Sequence, residues 1–221
     1  MEKTLIIGAS GGIGSALAAE LRARGAQVVG LSRSGEGLDI TDEASVDAHL
    51  GALEGSFDGI IVASGALEID GAAPEKTIKA VTARAMADQF AVNAIGPALV
   101  LRHAARLLPR EGRSICAVLT ARVGSIGDNR IGGWTSYRAA KAAANQIVHT
   151  TAIELARTHP EMICVAVHPG TVETPFTQKY LGRHPAVPAK EAAQNILSVL
   201  DGLTPEQTGG FYDWAGAQVD W

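Results

Sequence analysis

The run Gly8-Ala9-Ser10-Gly11-Gly12-Ile13-Gly14 constrains this chain more than any other stretch. A short apolar, β-favouring run, residues 4–7, leads into it. A helical pattern leaves it at once, with Ile13, Leu17, Ala18 and Leu21 on one face, and stops at Gly25. Residues 27–31 then read as a second strand. Strand, glycine-rich turn, helix and strand in that order open a parallel α/β unit. Glycines at such a turn let backbone come close to a pyrophosphate, whose charge is favoured at the helix N-terminus. Gly8, Gly11, Gly12 and Gly14 therefore predict a bound dinucleotide.

The end of the second strand indicates which one. An acid there would bond the ribose 2′-hydroxyl of NAD, but the strand runs into Ser32-Arg33. Arg33 can pair with the 2′-phosphate of NADP, so NADP is expected over NAD; an ordinary surface arginine is the alternative. Only residues 34–37 separate Arg33 from the next apolar piece, residues 38–40. A parallel crossover needs about a dozen residues or more, so the usual crossover helix is missing here. Residues 38–40 are expected as a stub strand or an extended loop at the sheet edge. A short helix over 42–52 follows, with Thr41 as its expected N-cap.

Further strands are expected at 57–62, 113–119, 162–167 and 210–214, and helices at 82–108, 136–154 and 189–200. Strands alternate with helices, which predicts an α/β fold: a single-domain Rossmann-type doubly wound parallel sheet over residues 1–221, with helices on both faces. Ligands of such sheets bind outside the carboxyl ends of the strands. The strand over 57–62 ends there in Ala63-Ser64-Gly65, small residues that leave room for a flat ring. In the 82–108 helix, Pro97 has no N–H for the carbonyl of Asn93 and clashes with it, so a kink or an opened carbonyl is expected at Asn93. His168, beside a Pro-Gly turn, reads as structural, and residues 176–188 as a mobile flap.

The chemistry is expected in residues 125–141. Tyr137 and Lys141 are four apart on an Ala-rich helix and so share one face. A cation beside a phenol favours phenolate, so Lys141 is expected to lower the Tyr137 pKa and make it a proton donor near neutral pH. Ser125, in the loop before that helix, can lend a hydroxyl to the same place. The chain's net charge of −4, with no basic run, argues against nucleic acid, and no apolar run is long enough to span a bilayer. Cys116 and Cys164 sit in apolar runs and read as buried free thiols, with no metal site. The N-terminus has no signal-peptide pattern, and a cytoplasmic protein is expected.

Together these motifs resemble the short-chain dehydrogenase/reductase family over essentially the whole chain. The residues that carry the resemblance are the run from Gly8 to Gly14, Asn93, Ser125, Tyr137-Arg138-Ala139-Ala140-Lys141 and Pro169-Gly170-Thr171-Val172-Glu173-Thr174. Residues 121–129, 210–214 and Trp221 are similar to its C-factor branch, near the sniffer-like carbonyl reductases. The resemblance implies an NADPH-dependent oxidoreductase acting on a small-molecule carbonyl or alcohol. Tyr137 would be the general acid/base, and Lys141 would lower its pKa and hold ribose hydroxyls. Ser125 would bond the carbonyl oxygen, and Asn93 would hold a water in a proton relay. Ser10, Gly12 and Ile13 would line the pyrophosphate, Asp39 would meet the adenine amine, and Val172 and Thr174 the nicotinamide amide. Val62, Ala63, Ser64 and Gly65 stand where the family usually has Asn-Asn-Ala-Gly, so a stabilising Asn is absent. Association as a homodimer or homotetramer through the Ala-rich helix is implied as well. A substrate pocket is expected between residues 125–134 and 176–188, with Trp134, Phe176 and Tyr180 favouring an apolar or aromatic substrate. A nucleotide-binding signalling or regulatory protein with little turnover is the alternative.

Overall fold

The computed structural model describes residues 1–174, 177–180 and 185–221. Its strands are β1 (Lys3–Ile7), β2 (Gln27–Leu31), β3 (Gly59–Val62), β4 (Ser114–Leu119), β5 (Met162–His168), β6 (Val172–Glu173), β7 (Val187–Pro188) and β8 (Phe211–Asp213). Six of them form one sheet in the order β2-β1-β3-β4-β5-β8, and every pair in it is parallel. The helices are α1 (Gly12–Ala23), α2 (Glu43–Gly51), α3 (Ala83–Phe90), α4 (Gly96–Leu101), α5 (Ala104–Leu107), α6 (Thr135–Leu155) and α7 (Ala189–Gly202).

Side chains alternate across the strands and divide the core into two layers. Leu5, Ile7, Ile60, Val62, Cys116, Val118, Cys164 and Ala166 face a cluster that includes Val46 of α2, Val100 of α4 and Val148 of α6. Ile6, Ile61, Ile115, Ala117, Ile163 and Val165 face the other way, against Leu17 and Leu21 of α1 and Ile196 and Leu200 of α7. The sheet is buried on both faces, as its continuous apolar strands require. Cys116 and Cys164 are free, buried and directly opposite each other in the β4–β5 register.

Of the two alternatives for residues 38–40, the loop is found and not the stub strand; Leu38 and Ile40 are buried, and β2 is the sheet edge. Other expectations are corrected. The cap of α2 is Asp42 rather than Thr41, because Asp42 Oδ1 accepts the N–H of Ala44 at 3.0 Å. Of the segment 176–188 expected as a flap, residues 176 and 181–184 lie outside the described residues, and its end, Val187 and Pro188, pairs in parallel with Val172 and Glu173. The long helix over 82–108 is broken into α3, α4 and α5, with a π-turn over Ala91–Ile95 between the first two. Pro97 explains that break. It cannot donate to the carbonyl four residues back, and the chain opens instead to a wider turn in which Gly96 N–H reaches Ala91 O.

Candidate active site

The strand order reverses between β1 and β3, since β2 lies on one side of β1 while β4, β5 and β8 follow β3 on the other. The crevice outside the carboxyl ends of such strands is where ligands of doubly wound sheets bind. Gly8 leaves β1 at that point with a φ of 89°, and a Cβ there would lie 2.8 Å from Ser64 N just past β3. A Cβ on Gly14 would lie 2.1 Å from Gly8 O, and one on Gly12 would lie 2.6 Å from Thr174 Cγ2. At Gly8 and Gly14 backbone meets backbone, so only glycine fits there, while Gly12 faces the Thr174 side chain, and main-chain N–H groups line the turn. No side chain caps the N-terminus of α1, and its first turn carries no acid. Ser64 Oγ and Thr120 Oγ1, past the ends of β3 and β4, are buried without a hydrogen-bond partner among the described residues. The donor-rich turn, the glycine cradle and these free hydroxyls fit a dinucleotide.

Outer residues of the expected set are placed along the same edge. Ser34 Oγ donates to Ser10 Oγ, or the reverse, at 2.8 Å and ties the β2 exit to the glycine turn. Arg33 beside it is exposed. Asp39 is half-buried; its Oδ1 accepts from Thr41 N at 2.9 Å and Thr41 Oγ1 at 2.7 Å. Those bonds, with the nearby Arg33 charge, hold its carboxyl below the usual range. Gly170 follows Pro169 with a φ of 79°, and a Cβ on it would lie 3.0 Å from the Trp214 ring. Val172 is buried in β6. His168 is pushed down to about 4, first by burial and then by the Arg122 charge, and is neutral at physiological pH.

Tyr137 and Lys141 share one face of α6, and both are buried. Lys141 Nζ lies 5.8 Å from the centre of the Tyr137 ring and donates to Leu119 O at 3.2 Å. The expected lowering of the Tyr137 pKa is not found. Burial disfavours the charged form of each group, raising the phenol above its ordinary value and lowering the Lys141 ammonium to about 8. The phenol is thus a protonated group at neutral pH. The loop before α6 packs directly on this turn, since a Cβ on Gly124 would lie 2.8 Å from Lys141 C. Ser125, next in the chain, is buried, and its Oγ accepts the N–H of Asp128 at 3.0 Å.

Asn93 lies in the π-turn and is fully buried. Its Nδ2 donates to Ala66 O at 2.8 Å and to Gln89 Oε1 at 2.7 Å, while its Oδ1 accepts Ala66 N–H at 3.1 Å. The side chain therefore holds both backbone groups of Ala66. A Cβ on Gly65 would lie 3.1 Å from Asn93 Oδ1 and 3.3 Å from Lys141 Nζ. Gly65 thus lets the loop after β3 fit between the π-turn and the lysine.

Trp134 stands over the phenol, with its ring edge-on to Tyr137 at 6.3 Å and to Tyr180 at 5.4 Å. Phe176, expected to share this wall, lies outside the described residues. Two glutamates that sequence reasoning missed brace the wall from the loop after β3. Glu68 accepts from Tyr180 OH at 2.8 Å and Lys179 Nζ at 2.6 Å. Glu75 is buried and accepts from Ser136 in the first turn of α6. Neither had a local signal, because each partner is far away in sequence. Among the described residues no group of His, Cys, Asp and Glu could hold a metal ion, and no helix is long and apolar enough to cross a membrane.

Comparison with known proteins agrees with this geometry. Residues 8–210 match the family model described as enoyl-(acyl carrier protein) reductase. The 1-hydroxy-2-glutathionyl-2-methyl-3-butene dehydrogenase of Rhodococcus sp. (strain AD45) is 29% identical over 236 aligned positions that cover both chains completely. The C-signal protein of Myxococcus xanthus is 38% identical over 141 residues, spanning 62% of this chain and 78% of that one. Among solved structures, a short-chain dehydrogenase/reductase of Burkholderia multivorans with bound NADP is 30% identical. It superimposes with a TM-score of 0.84 over 99% of both chains. The chain is an oxidoreductase and belongs to the short-chain dehydrogenase/reductase family.

Proposed function

We propose that this protein is an NADPH-dependent carbonyl reductase in which Tyr137 is the general acid. The observation that carries the reading is one place at the carboxyl edge of the sheet. There the Gly8–Gly14 turn, the loop after β3, the Asn93 turn and the buried Tyr137–Lys141 pair meet. The Burkholderia relative with bound NADP and the exposed Arg33 beyond β2 favour NADP over NAD.

Gly8, Ser10, Gly11, Gly12, Ile13 and Gly14 would hold the pyrophosphate, and Arg33 and Asp39 the adenosine end. Ala63, Ser64, Gly65, Pro169, Gly170, Val172 and Thr174 would enclose the nicotinamide end. Bound there, the dinucleotide supplies the hydride. The protein does the rest. Tyr137 keeps its proton at the phenol oxygen, because burial holds its pKa high, and delivers it to the carbonyl oxygen as charge develops. Ser125 Oγ, free to donate while it accepts from Asp128, bonds the same oxygen. Lys141 has one protein hydrogen bond among the described residues, leaving donors for ribose hydroxyls. The Asn93 backbone carbonyl, denied a partner at Pro97, would take the relay water. Trp134 and Tyr180 suit an apolar or aromatic carbonyl compound.

A panel of aldehydes, ketones and alcohols, followed by NADPH absorbance, tests the reading. Turnover of aromatic aldehydes or ketones is expected; no consumption with any member would contradict it. The similarity to the C-signal protein favours one other reading, a nucleotide-binding signalling protein with little turnover, and robust turnover excludes that. We further infer one domain over residues 1–221, a cytoplasmic location, and a homodimer or homotetramer built through α6.

A further inference from the structure

The helix that carries Tyr137 begins without a cap of its own. Trp134, at its N-cap position, has φ 52° and ψ 37°, in the left-handed region, and its side chain makes no capping bond. A bulky residue holds that conformation only where its surroundings impose it. The first N–H groups of a helix also need acceptors. One distant residue meets both needs. Glu75 O accepts the N–H of Trp134 at 2.5 Å. Glu75 Oε2 accepts the N–H of Ser136 at 3.2 Å, and Oε1 accepts the Ser136 hydroxyl. The two backbones run so close that a Cβ on Gly133 would lie 3.3 Å from Lys76 O and 3.6 Å from Glu75 O.

Glu75 is buried, and among the described residues it has no salt-bridge partner. Burial would raise its pKa, but the bonds from the Ser136 hydroxyl and the backbone outweigh this and leave it below the ordinary value. It is therefore an anion at the N-terminus of α6, where the helix dipole favours negative charge. Tyr137 is the next residue after Ser136. The indole of Trp134 lies edge-on to Tyr137 and Tyr180.

We propose that Glu75 is a positioning residue for the reaction: it serves as the cap that α6 lacks, and so fixes the Tyr137 phenol and the Trp134 wall of the substrate site. This rests on the reading of Tyr137 as proton donor. Glu75 touches no reacting atom; it acts through Trp134 and Ser136. The glycine turn that would hold the dinucleotide makes no hydrogen bond with it among the described residues.

The test uses Glu75→Ala, Glu75→Gln and Tyr137→Phe in the full chain, with p-nitrobenzaldehyde and NADPH as probes. In Glu75→Ala, kcat should fall about ten- to a hundredfold, as expected for a reacting group misplaced by up to ~1 Å, while the NADPH Kd stays within about twofold. Glu75→Gln keeps the shape and one acceptor, so its loss should be smaller; it carries the test if the alanine variant does not fold. A second arm needs no turnover. With Trp214→Phe and Trp221→Phe in place, Trp134 is the one tryptophan left of the chain's 3. Glu75→Ala should then red-shift its emission and open it to acrylamide quenching. Wild-type kcat with unchanged emission overturns the proposal. So does a fall in kcat matched by an equal weakening of NADPH binding, which would mean general loosening. Activity surviving in Tyr137→Phe sinks the proton-donor reading instead, and the emission arm alone then decides on Glu75.

Discussion

Removing the Lys141 ammonium should change how stability depends on pH. Lys141 is buried, its Nζ has one carbonyl partner among the described residues, and no carboxylate pairs with it there. Burial lowers it from the ordinary 10.5 to about 8, a difference worth roughly 3 kcal/mol. The sign follows from which state holds the proton. Below about pH 8 the amine is charged in both folded and unfolded chains, and the folded chain bears the full cost of burying it. Between about 8 and 10.5 the folded amine releases its proton while the unfolded one keeps it, so stability rises with pH. Tyr137 acts in the opposite sense above its ordinary 10.0, because the unfolded phenol then ionises before the folded one. The clean window is about pH 8 to 10, where Lys141 should add about 2 kcal/mol. Urea unfolding of the dinucleotide-free protein across that window, compared with Lys141→Met, isolates the effect. A difference between the two proteins that stays flat, or moves in favour of the variant as pH rises, would refute the burial argument.

Two further outcomes follow from the same geometry. Asn93→Ala strips partners from Gln89 Oε1 and from both backbone groups of Ala66, which should cost about 3 kcal/mol. Thermal unfolding should show this as a fall in Tm of roughly 10 °C. Arg33→Glu should raise the KM for NADPH about tenfold or more, with the KM for NADH unchanged or lower, as steady-state kinetics would read, because the 2′-phosphate loses its cation.

The parts of the fold legible in the sequence are those set by neighbours along the chain. The glycine run could be read because an apolar strand precedes it and a periodic helix follows it. Tyr137 and Lys141 could be paired because helical spacing puts residues four apart on one face. Pro97 announced the break at Asn93 because a missing N–H acts locally. What escaped was set by contacts across the fold. The ionisation of Tyr137 depends on how deeply α6 is packed, which the four-residue spacing does not encode. The role of the Asn93 side chain depends on Ala66, 27 residues away, and the start of α6 depends on Glu75, 61 residues before Ser136. Thr41 and Asp42 are both good caps, and only the geometry at Ala44 chooses Asp42. Composition left residues 38–40 open between a stub strand and an extended loop, and the loop is what forms, with Leu38 and Ile40 buried.

The central claim is that Tyr137 delivers the proton. Tyr137→Phe removes one hydroxyl from a buried ring and leaves the glycine turn, Lys141 and Asn93 in place. NADPH titration followed by single-turnover reduction of an accepted aldehyde tests it most directly. The account predicts NADPH binding near that of the wild type and a reduction rate lower by at least about a thousandfold, within the range of general acid catalysis. A reduction rate close to that of the wild type would contradict it.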